Sequence, residues 1–213
     1  LGLPGPAERL ERSRIVGNPL RGVFASFDRA GRRESARRRY GVAPGATVIG
    51  VLGGSQGARI LNESVPAIIE AWRGGPLEIV HLTGSAELAE MTRRAEGSPL
   101  PWRCVGFENV MEDFYAAADL VVCRAGAMTI SELAATGTPA VLVPLEVVGQ
   151  QANAAALADA GGAVVVPQAD AARLPETAAT LAADPDRLER LAAGGRTLAR
   201  PTAAAEVADA ILE

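Results

Sequence analysis

The sequence contains no lysine, one histidine and two cysteines, and each shortage excludes a class of chemistry. Without lysine, the chain can form neither a Walker-type phosphate site nor a Schiff base. A single histidine, His81, excludes any two-histidine mechanism and most histidine-based metal sites. Cys104 and Cys123 are far apart in the sequence, which excludes a disulfide framework and a cysteine-based zinc site and favours a reducing, cytosolic setting.

The sequence also lacks long apolar runs and excess positive charge. No run approaches the roughly 20 residues that a membrane-spanning helix needs, and the Gly/Pro-rich start of the chain does not resemble a signal peptide. A net charge of -4 argues against a nucleic-acid partner. The 213 residues are 48% hydrophobic, which suffices for a real core in one large domain or two small ones.

Short β-branched runs alternate with alanine-rich helical patterns from Thr47 onward. The runs are too continuous for half-exposed strands, so they indicate strands that helices cover on both faces. Strict alternation of this kind predicts an α/β fold with a Rossmann-like, doubly wound parallel sheet. The predicted strands are 47–52, 78–82, 102–105, 120–123, 140–143 and 163–166. The predicted helices are 57–72, 86–95, 111–118, 129–136, 150–160, 174–183, 185–199 and 203–212.

The first 40 residues differ from the rest in composition. Residues 1–14 are polar and interrupted by Pro4 and Pro6, which indicates a linker, so we expect the domain to occupy residues 15–213. Residues 26–40 predict a helix rich in arginine. Its basic side chains indicate either a solvated face or a contact with phosphates or an anionic membrane surface. These side chains are Arg29, Arg32, Arg33, Arg37, Arg38 and Arg39.

Ligands of a doubly wound sheet bind outside the carboxyl ends of its strands, so the segments after the strands are candidate site loops. The first strand leads into a glycine-rich turn, residues 53–59, that opens a helix and suits a phosphate, although a plain tight turn fits equally well. The fourth strand leads into a second helix start, where the N–H groups around Ala127 and Met128 form another anion cradle. Glu132, one turn later, either completes a helix cap with Thr129 or accepts hydrogen bonds from a sugar diol.

The remaining loops add an aromatic residue and several amides. Phe107 follows the third strand and could wall a base, whereas we interpret His81 as a histidine satisfied within its strand. Amide side chains after the fifth strand suit the hydroxyls of a neutral sugar, or serve ordinary capping. Together the loops favour a nucleotide-sugar over a dinucleotide, because the first turn lacks the GxGxxG form and no acidic residue ends the second strand. The amides are Gln150, Gln151 and Asn153.

Four motifs occur in order along the chain: 17–21 (GNPLR), 53–59 (GGSQGAR) with Leu61 and Asn62, 123–132 ending at Glu132, and Gln150 with Asn153 and Ala154. Together they resemble the motifs of the MurG family, the UDP-N-acetylglucosamine-dependent transferases of peptidoglycan lipid synthesis. The resemblance runs from about Ile15 to the end of the chain, and it implies the C-terminal, donor-binding half of a GT-B glycosyltransferase. That family transfers N-acetylglucosamine with inversion onto lipid I to make lipid II.

The resemblance implies a role for each matching position. Arg21 would contact phosphate, and Ser55 with its neighbours would cradle the donor diphosphate. Phe107 would wall the uracil, the main chain of Glu108 would recognise it, and Glu132 would bind the ribose. The implied donor site as a whole comprises Arg21, Gly54, Ser55, Gln56, Phe107, Glu108, Ala127, Met128, Glu132, Gln150, Gln151 and Asn153. The positions around the N-acetylglucosamine are Ala127, Gln150, Gln151 and Asn153.

The resemblance further implies chemistry without a metal or other cofactor, in which helix dipoles and Arg21 stabilise the departing UDP. It places no catalytic residue in this chain, because the proposed base belongs to an N-terminal domain that we expect to be absent here. Lipid I and the cytoplasmic membrane would be contacted through that domain, so the full enzyme would be cytoplasmic and peripheral on the inner face of the membrane. The isolated chain would bind the donor but remain inactive.

The sequence departs from the family in the loop between Pro144 and Gln150, which is short and has Gly149 where many members have a polar residue. This departure leaves the sugar specificity open. Two alternatives to the donor-half hypothesis are therefore a GT-B relative that uses another UDP-sugar and a non-catalytic module that binds a UDP-sugar.

Overall fold

The computed structural model of the chain describes residues 2–3, 14–54, 57–146 and 149–212. Its strands form one parallel sheet in the order β3-β2-β1-β4-β5-β6, which confirms the doubly wound prediction. Most of the predicted linker, 1–14, lies outside the described residues. The strands are β1 (Thr47–Leu52), β2 (Leu77–Leu82), β3 (Trp102–Val105), β4 (Leu120–Cys123), β5 (Ala140–Leu142) and β6 (Ala163–Val165).

Helices cover both faces of this sheet. They are α1 (Arg29–Arg39), α2 (Arg59–Ala71), α3 (Leu88–Glu96), α4 (Met111–Ala117), α5 (Ala127–Thr136), α6 (Gln150–Asp159), α7 (Leu174–Ala182), α8 (Pro185–Arg196) and α9 (Ala203–Leu212). Alternate residues of β1 point to opposite faces, so Val48 packs in the core under α1, α4, α5 and α6, whereas Ile49 packs under α2 and α7. The strands are thus buried on both sides, which explains their continuous apolar sequence.

Gly50 allows α4 to approach the centre of the sheet. A Cβ at this position would lie 2.7 Å from Cζ of Phe114, which is fully buried. Because a side chain at residue 50 would collide with that ring, the position requires glycine. This close approach places the start of α4 and the loop before it at the carboxyl edge of β1.

The arginine-rich helix α1 departs from both interpretations of its sequence. Arg29, Arg33 and Arg37 donate to main-chain oxygens of residues 115–118, and Arg33 and Arg37 also pair with Asp119. Those oxygens belong to the last turn of α4, where no helical N–H is left to bond them. Three of the six arginines, Arg29, Arg33 and Arg37, therefore cap a neighbouring helix, and the prediction of a solvated or phosphate-binding face was wrong for them.

Four helices, α1, α2, α3 and α5, begin two or three residues from their predicted starts, and the local reason is clearest for α1 and α5. Helix α1 begins at Arg29, because the Asp28 side chain accepts a hydrogen bond from the N–H of Gly31 and acts as its cap. Helix α5 begins at Ala127, two residues earlier than predicted, with Gly126 as its N-cap. Thr129 is therefore inside the helix, and a cap formed by Thr129 and Glu132 is excluded.

No helix within the described ranges is both long and apolar enough to cross a membrane. Cys104 and Cys123 are free thiols, as predicted.

Candidate functional site

A cleft of about 190 Å³ opens at the carboxyl edge of the sheet, where the strand order reverses between β1 and β4. Of the predicted site residues, the cleft brings together Gly54, Phe107, Glu108 and Glu132. The other lining residues come from the ends of β1 and β2, the loop after β3 and the adjoining turns of α4 and α5. They are Leu52, Leu82, Gly106, Met111 and Thr129.

Glu132 projects into this cleft from the second turn of α5. Its Oε2 accepts a hydrogen bond of 2.7 Å from the hydroxyl of Tyr115, a core residue of α4. Burial raises the pKa of Glu132, while the Tyr115 hydroxyl and the charge of Arg21 act in the opposite direction. Its Oε1 accepts no hydrogen bond from the residues that the structure describes, so a ligand donor can bind there.

The loop after β3 presents an aromatic wall. Phe107 is 58% exposed, unusual for a large apolar side chain, and it lines the cleft. The neighbouring Glu108 turns its carboxylate inward, to Tyr40 Oη at 2.6 Å, Arg39 at 2.7 Å and the N–H of Val110 at 2.7 Å. Any contact between Glu108 and a base is therefore left to its main chain, and the predicted recognition of uracil stays a prediction.

The carboxylate of Glu108 is ionised more readily than an ordinary glutamate. Burial alone would raise its pKa, but the combined hydrogen bonds from Tyr40, Arg39 and Val110 hold the pKa below its usual range. This carboxylate ties the loop after β3 to the end of α1, and so fixes the position of Phe107.

Arg21 lies beside the cleft. Its guanidinium donates to Glu112 Oε2 at 2.9 Å and to the main-chain oxygen of Asn109 at 3.3 Å, and it lies 5.4 Å from the ring centre of Phe24. The side chain is still 53% exposed. Arg21 is thus held at the start of α4 with part of its guanidinium facing solvent.

The start of α5 offers main-chain donors. No side chain of the described residues caps this helix, and Ala127 and Met128 in its first turn are exposed. Asn18 supports the turn from below, donating to the main-chain oxygen of Ala127 at 3.2 Å and to Ser131 Oγ at 2.9 Å. The first-turn N–H groups and the positive end of the helix dipole suit an anion.

The glycine-rich turn after β1 is described only in part. Gly54 and Gly57 have positive φ angles of 87° and 74°, which favour glycine and shape the turn. Ser55 and Gln56, both predicted to contact the donor diphosphate, lie outside the described residues.

The amides after β5 contact main chain within the protein. Oε1 of Gln150 accepts from the N–H groups of Ala125 and Leu145, both at 3.1 Å, and Nδ2 of Asn153 donates to the Ala125 oxygen at 3.0 Å. These bonds join the loops that follow β4 and β5. They leave Gln150 Nε2 and Asn153 Oδ1 as polar atoms for a ligand, while Gln151 is exposed.

Gly149 has a backbone reason for its departure from the family pattern. It is the N-cap of α6 and has a φ angle of 68°, which L side chains rarely adopt. The neighbouring residues 147–148 lie outside the described ranges.

His81 is satisfied within the core, as predicted. Its Nε2 bonds Asn62 Oδ1 at 2.9 Å, and its Nδ1 accepts from the indole N–H of Trp102 at 3.2 Å. Burial lowers the pKa of His81 to about 3, so the ring is neutral and carries its proton on Nε2. Because both ring nitrogens are occupied inside the protein, His81 is not available as a general base.

Tyr115 and Asn18 are the supporting residues that sequence reasoning missed. Tyr115 belongs to an apolar helical pattern and resembles any other core residue, and only its hydroxyl touches the site. Asn18 lies inside the 17–21 motif, and the resemblance of that motif to the family pattern was the sequence signal that could have identified it. Among the described residues, no group of three or more His, Cys, Asp or Glu side chains could hold a metal ion.

Comparison with known proteins agrees with this geometry. The sequence pattern of the glycosyltransferase family 28 C-terminal domain matches residues 48–207. The chain is 41% identical over 213 residues to the UDP-N-acetylglucosamine--N-acetylmuramyl-(pentapeptide) pyrophosphoryl-undecaprenol N-acetylglucosamine transferase of Mycobacterium tuberculosis, covering 97% of this chain and 51% of that enzyme. The enzyme of the same name from Mycolicibacterium paratuberculosis is 39% identical over 218 residues, with coverages of 100% and 51%. The chain thus spans about half the length of the curated relatives it matches.

Solved structures show the same fold. The crystal structure of MurG from Acinetobacter baumannii superposes with a TM-score of 0.77 at 31% identity, covering 95% of this chain and 57% of that one. WaaG, a glycosyltransferase involved in lipopolysaccharide biosynthesis, superposes with a TM-score of 0.69 at 16% identity, covering 93% and 56%. The first similarity confirms the resemblance seen in the sequence motifs, and the second concerns the fold alone.

Proposed function

Since the chain belongs to the glycosyltransferase family 28 C-terminal domain family, we propose that it is the UDP-N-acetylglucosamine-binding half of an inverting glycosyltransferase. In the complete enzyme, the sugar passes to lipid I and yields lipid II for peptidoglycan synthesis. The named relatives act as N-acetylglucosamine transferases, which supports this choice of donor and reaction.

One observation supports the proposal: the cleft at the switch point contains an aromatic side chain and a carboxylate, and the start of α5, which reaches the cleft at Thr129, offers main-chain donors beside them. These three features suit the three parts of a nucleoside diphosphate. In this proposal Phe107 stacks on the base, and Glu132 offers the ribose a carboxylate oxygen that no described residue bonds. The N–H groups at the start of α5 suit the diphosphate. The sugar would then lie toward Gln150 and Asn153, which border the same edge of the sheet.

Transfer requires stabilisation of the UDP that departs with negative charge. The dipole of α5 and the guanidinium of Arg21 supply positive potential at fixed positions, which is the arrangement that stabilises developing charge without reorganisation. Glu112 compensates part of the Arg21 charge, so we assign the larger share to the helix start. In this proposal, no metal ion takes part.

The acceptor side of the reaction lies elsewhere in this proposal. Inverting transfer needs a base close to the acceptor hydroxyl and in line with the departing group. Among the described residues, both ring nitrogens of His81 are hydrogen-bonded within the core, and we assign Glu132 to the ribose. We therefore assign the base, the lipid I site and the contact with the inner face of the cytoplasmic membrane to protein outside these 213 residues, and we expect the isolated chain to bind the donor without transferring the sugar.

Calorimetry tests the binding and its independence of metal. We expect UDP to bind the chain with the same affinity in chelator as in added magnesium, because the donors for the diphosphate belong to the protein. UDP-N-acetylglucosamine should bind more tightly than UDP-glucose, which lacks the acetamido group. A large loss of affinity on chelation would contradict the metal-free site, and equal binding of all UDP-sugars would contradict the choice of donor.

A further inference from the structure

We propose that Tyr115 is a positioning residue for the donor ribose, whose hydroxyl holds the Glu132 carboxylate in the orientation that receives the sugar diol. The inference rests on the proposed function, because it assigns a cause to the placement of a carboxylate that meets the nucleotide.

The Tyr115 ring is fixed before any ligand arrives. The residue has no solvent exposure, and its ring makes edge contacts with Phe24 at 6.3 Å and Phe114 at 5.6 Å between ring centres. Its main-chain oxygen accepts from Arg29 at 3.3 Å and from Thr138 Oγ1 at 3.4 Å. The hydroxyl therefore reaches Glu132 from a rigid support.

Glu132 needs such a support more than a surface glutamate does. Its side chain has several rotatable bonds, and a half-buried carboxylate in a cleft gains from any orientation that finds a donor. Tyr115 occupies Oε2 at 2.7 Å, which directs the remaining lone pairs of the carboxylate along the cleft. Among the described residues, no second donor competes for this carboxylate, so its orientation depends on the tyrosine.

A purely structural role for the hydroxyl is the competing explanation, since a buried Tyr O–H needs an acceptor wherever it lies. The two explanations predict different effects on nucleotide affinity. A structural role predicts that removing the hydroxyl changes the stability of the fold but treats all nucleotides alike. A positioning role predicts that the removal selectively costs the contact with the ribose 2′-hydroxyl.

The experiment compares the affinities of UDP and 2′-deoxyuridine diphosphate for the parent chain and for Tyr115→Phe. The parent should prefer UDP by about tenfold or more, since a hydrogen bond to a charged group is of that strength. In Tyr115→Phe the preference should fall to about threefold or less, because an unsupported carboxylate must be ordered when the ligand binds. A preference that stays at the parent value would overturn the inference.

Tyr40→Phe is the matched control. The chain has two tyrosines, and the hydroxyl of Tyr40 also donates to a buried glutamate, Glu108. Any effect of this variant on the base loop acts equally on both nucleotides, so their affinity ratio should equal that of the parent. An equal fall of the ratio in both variants would count against Tyr115 as a specific support.

A second measurement does not require Tyr115→Phe to fold. With 3-fluorotyrosine incorporated, the two tyrosines give two fluorine resonances, which Tyr40→Phe assigns. We expect the Tyr115 resonance to shift on addition of UDP and to shift less with the deoxy analogue. If it responds equally to both, the inference fails. If the parent binds no UDP, the proposed function fails and the inference with it, an outcome distinct from UDP binding with an unchanged preference.

Discussion

Two glutamates of the site each accept a hydrogen bond from a buried tyrosine, yet their surroundings differ. Glu108 accepts from Tyr40, Arg39 and a main-chain N–H, so both of its oxygens are occupied. Glu132 accepts only from Tyr115 among the described residues. The pKa of Glu108 is held below its usual value, whereas burial raises that of Glu132.

This difference in hydrogen bonding distinguishes a structural carboxylate, Glu108, from a carboxylate that is available to a ligand, Glu132. The protein itself satisfies Glu108, and the result is a fixed loop that carries Phe107. Glu132 is desolvated without full compensation, which costs folding free energy and is repaid only when a hydroxyl donor binds. Burial with incomplete hydrogen bonding, more than proximity to the cleft, marks the ligand-binding member of the pair.

The largest expected effect is on stability. Glu108→Ala should lower the free energy of unfolding by about 3 kcal/mol, because it leaves the buried Tyr40 hydroxyl without its acceptor. The substitution also removes one of the two carboxylates that pair with Arg39, which keeps only Asp113. Urea denaturation measures the change. Glu34→Ala is the control, since Glu34 is 85% exposed and pairs with Arg38 on the surface of α1, and we expect it to change stability by less than about 0.5 kcal/mol. Equal effects of the two substitutions would remove the structural role assigned to Glu108.

A smaller effect concerns pH, where the two glutamates should act in separate ranges. Burial raises the pKa of Glu132 above the ordinary 4.5, so its carboxylate gains a proton before the pH has been lowered to 4.5. UDP affinity should therefore fall as the pH is lowered toward 4.5, by about tenfold in all. Tyr115, Arg21 and Glu112 are the groups that act on this titration.

The pKa shift of Glu108 has the opposite sign to that of Glu132. Its folded-state pKa is lowered, so its stabilisation is complete at neutral pH and is lost only as the pH falls below 4.5. Affinity should therefore decline before stability does. Glu132→Gln should keep only the pH dependence of the UDP phosphates, and an acid limb that persists in this variant would assign the titration to another group.

The strands could be predicted almost to the residue because strands buried on both faces leave a continuous apolar signal. Three of the six, β1, β3 and β4, have the predicted bounds. Helix α1 was misinterpreted for the opposite reason. The partners of Arg33 and Arg37 at the end of α4 lie 80 to 86 residues further along the chain, and no local pattern in α1 indicates them.

The candidate site was predictable as a set of loops but not as a set of contacts. The switch-point rule placed Phe107 and Glu132 at one edge of the sheet before the fold was known. It could not show that the Glu108 carboxylate turns inward, or that Gln150 and Asn153 already bond main chain. Those outcomes depend on side-chain packing between elements distant in sequence, such as Tyr40 and Glu108.

The central claim is that Glu132 binds the donor ribose, and the UDP affinity of Glu132→Ala tests it most directly. The variant should bind UDP roughly a hundredfold more weakly than the parent, through the loss of hydrogen bonds to a charged group. Glu132→Gln should lose less, and 2′-deoxyuridine diphosphate should be less affected than UDP. If Glu132→Ala binds UDP as tightly as the parent chain, Glu132 is a structural residue of α5 and the ribose lies elsewhere.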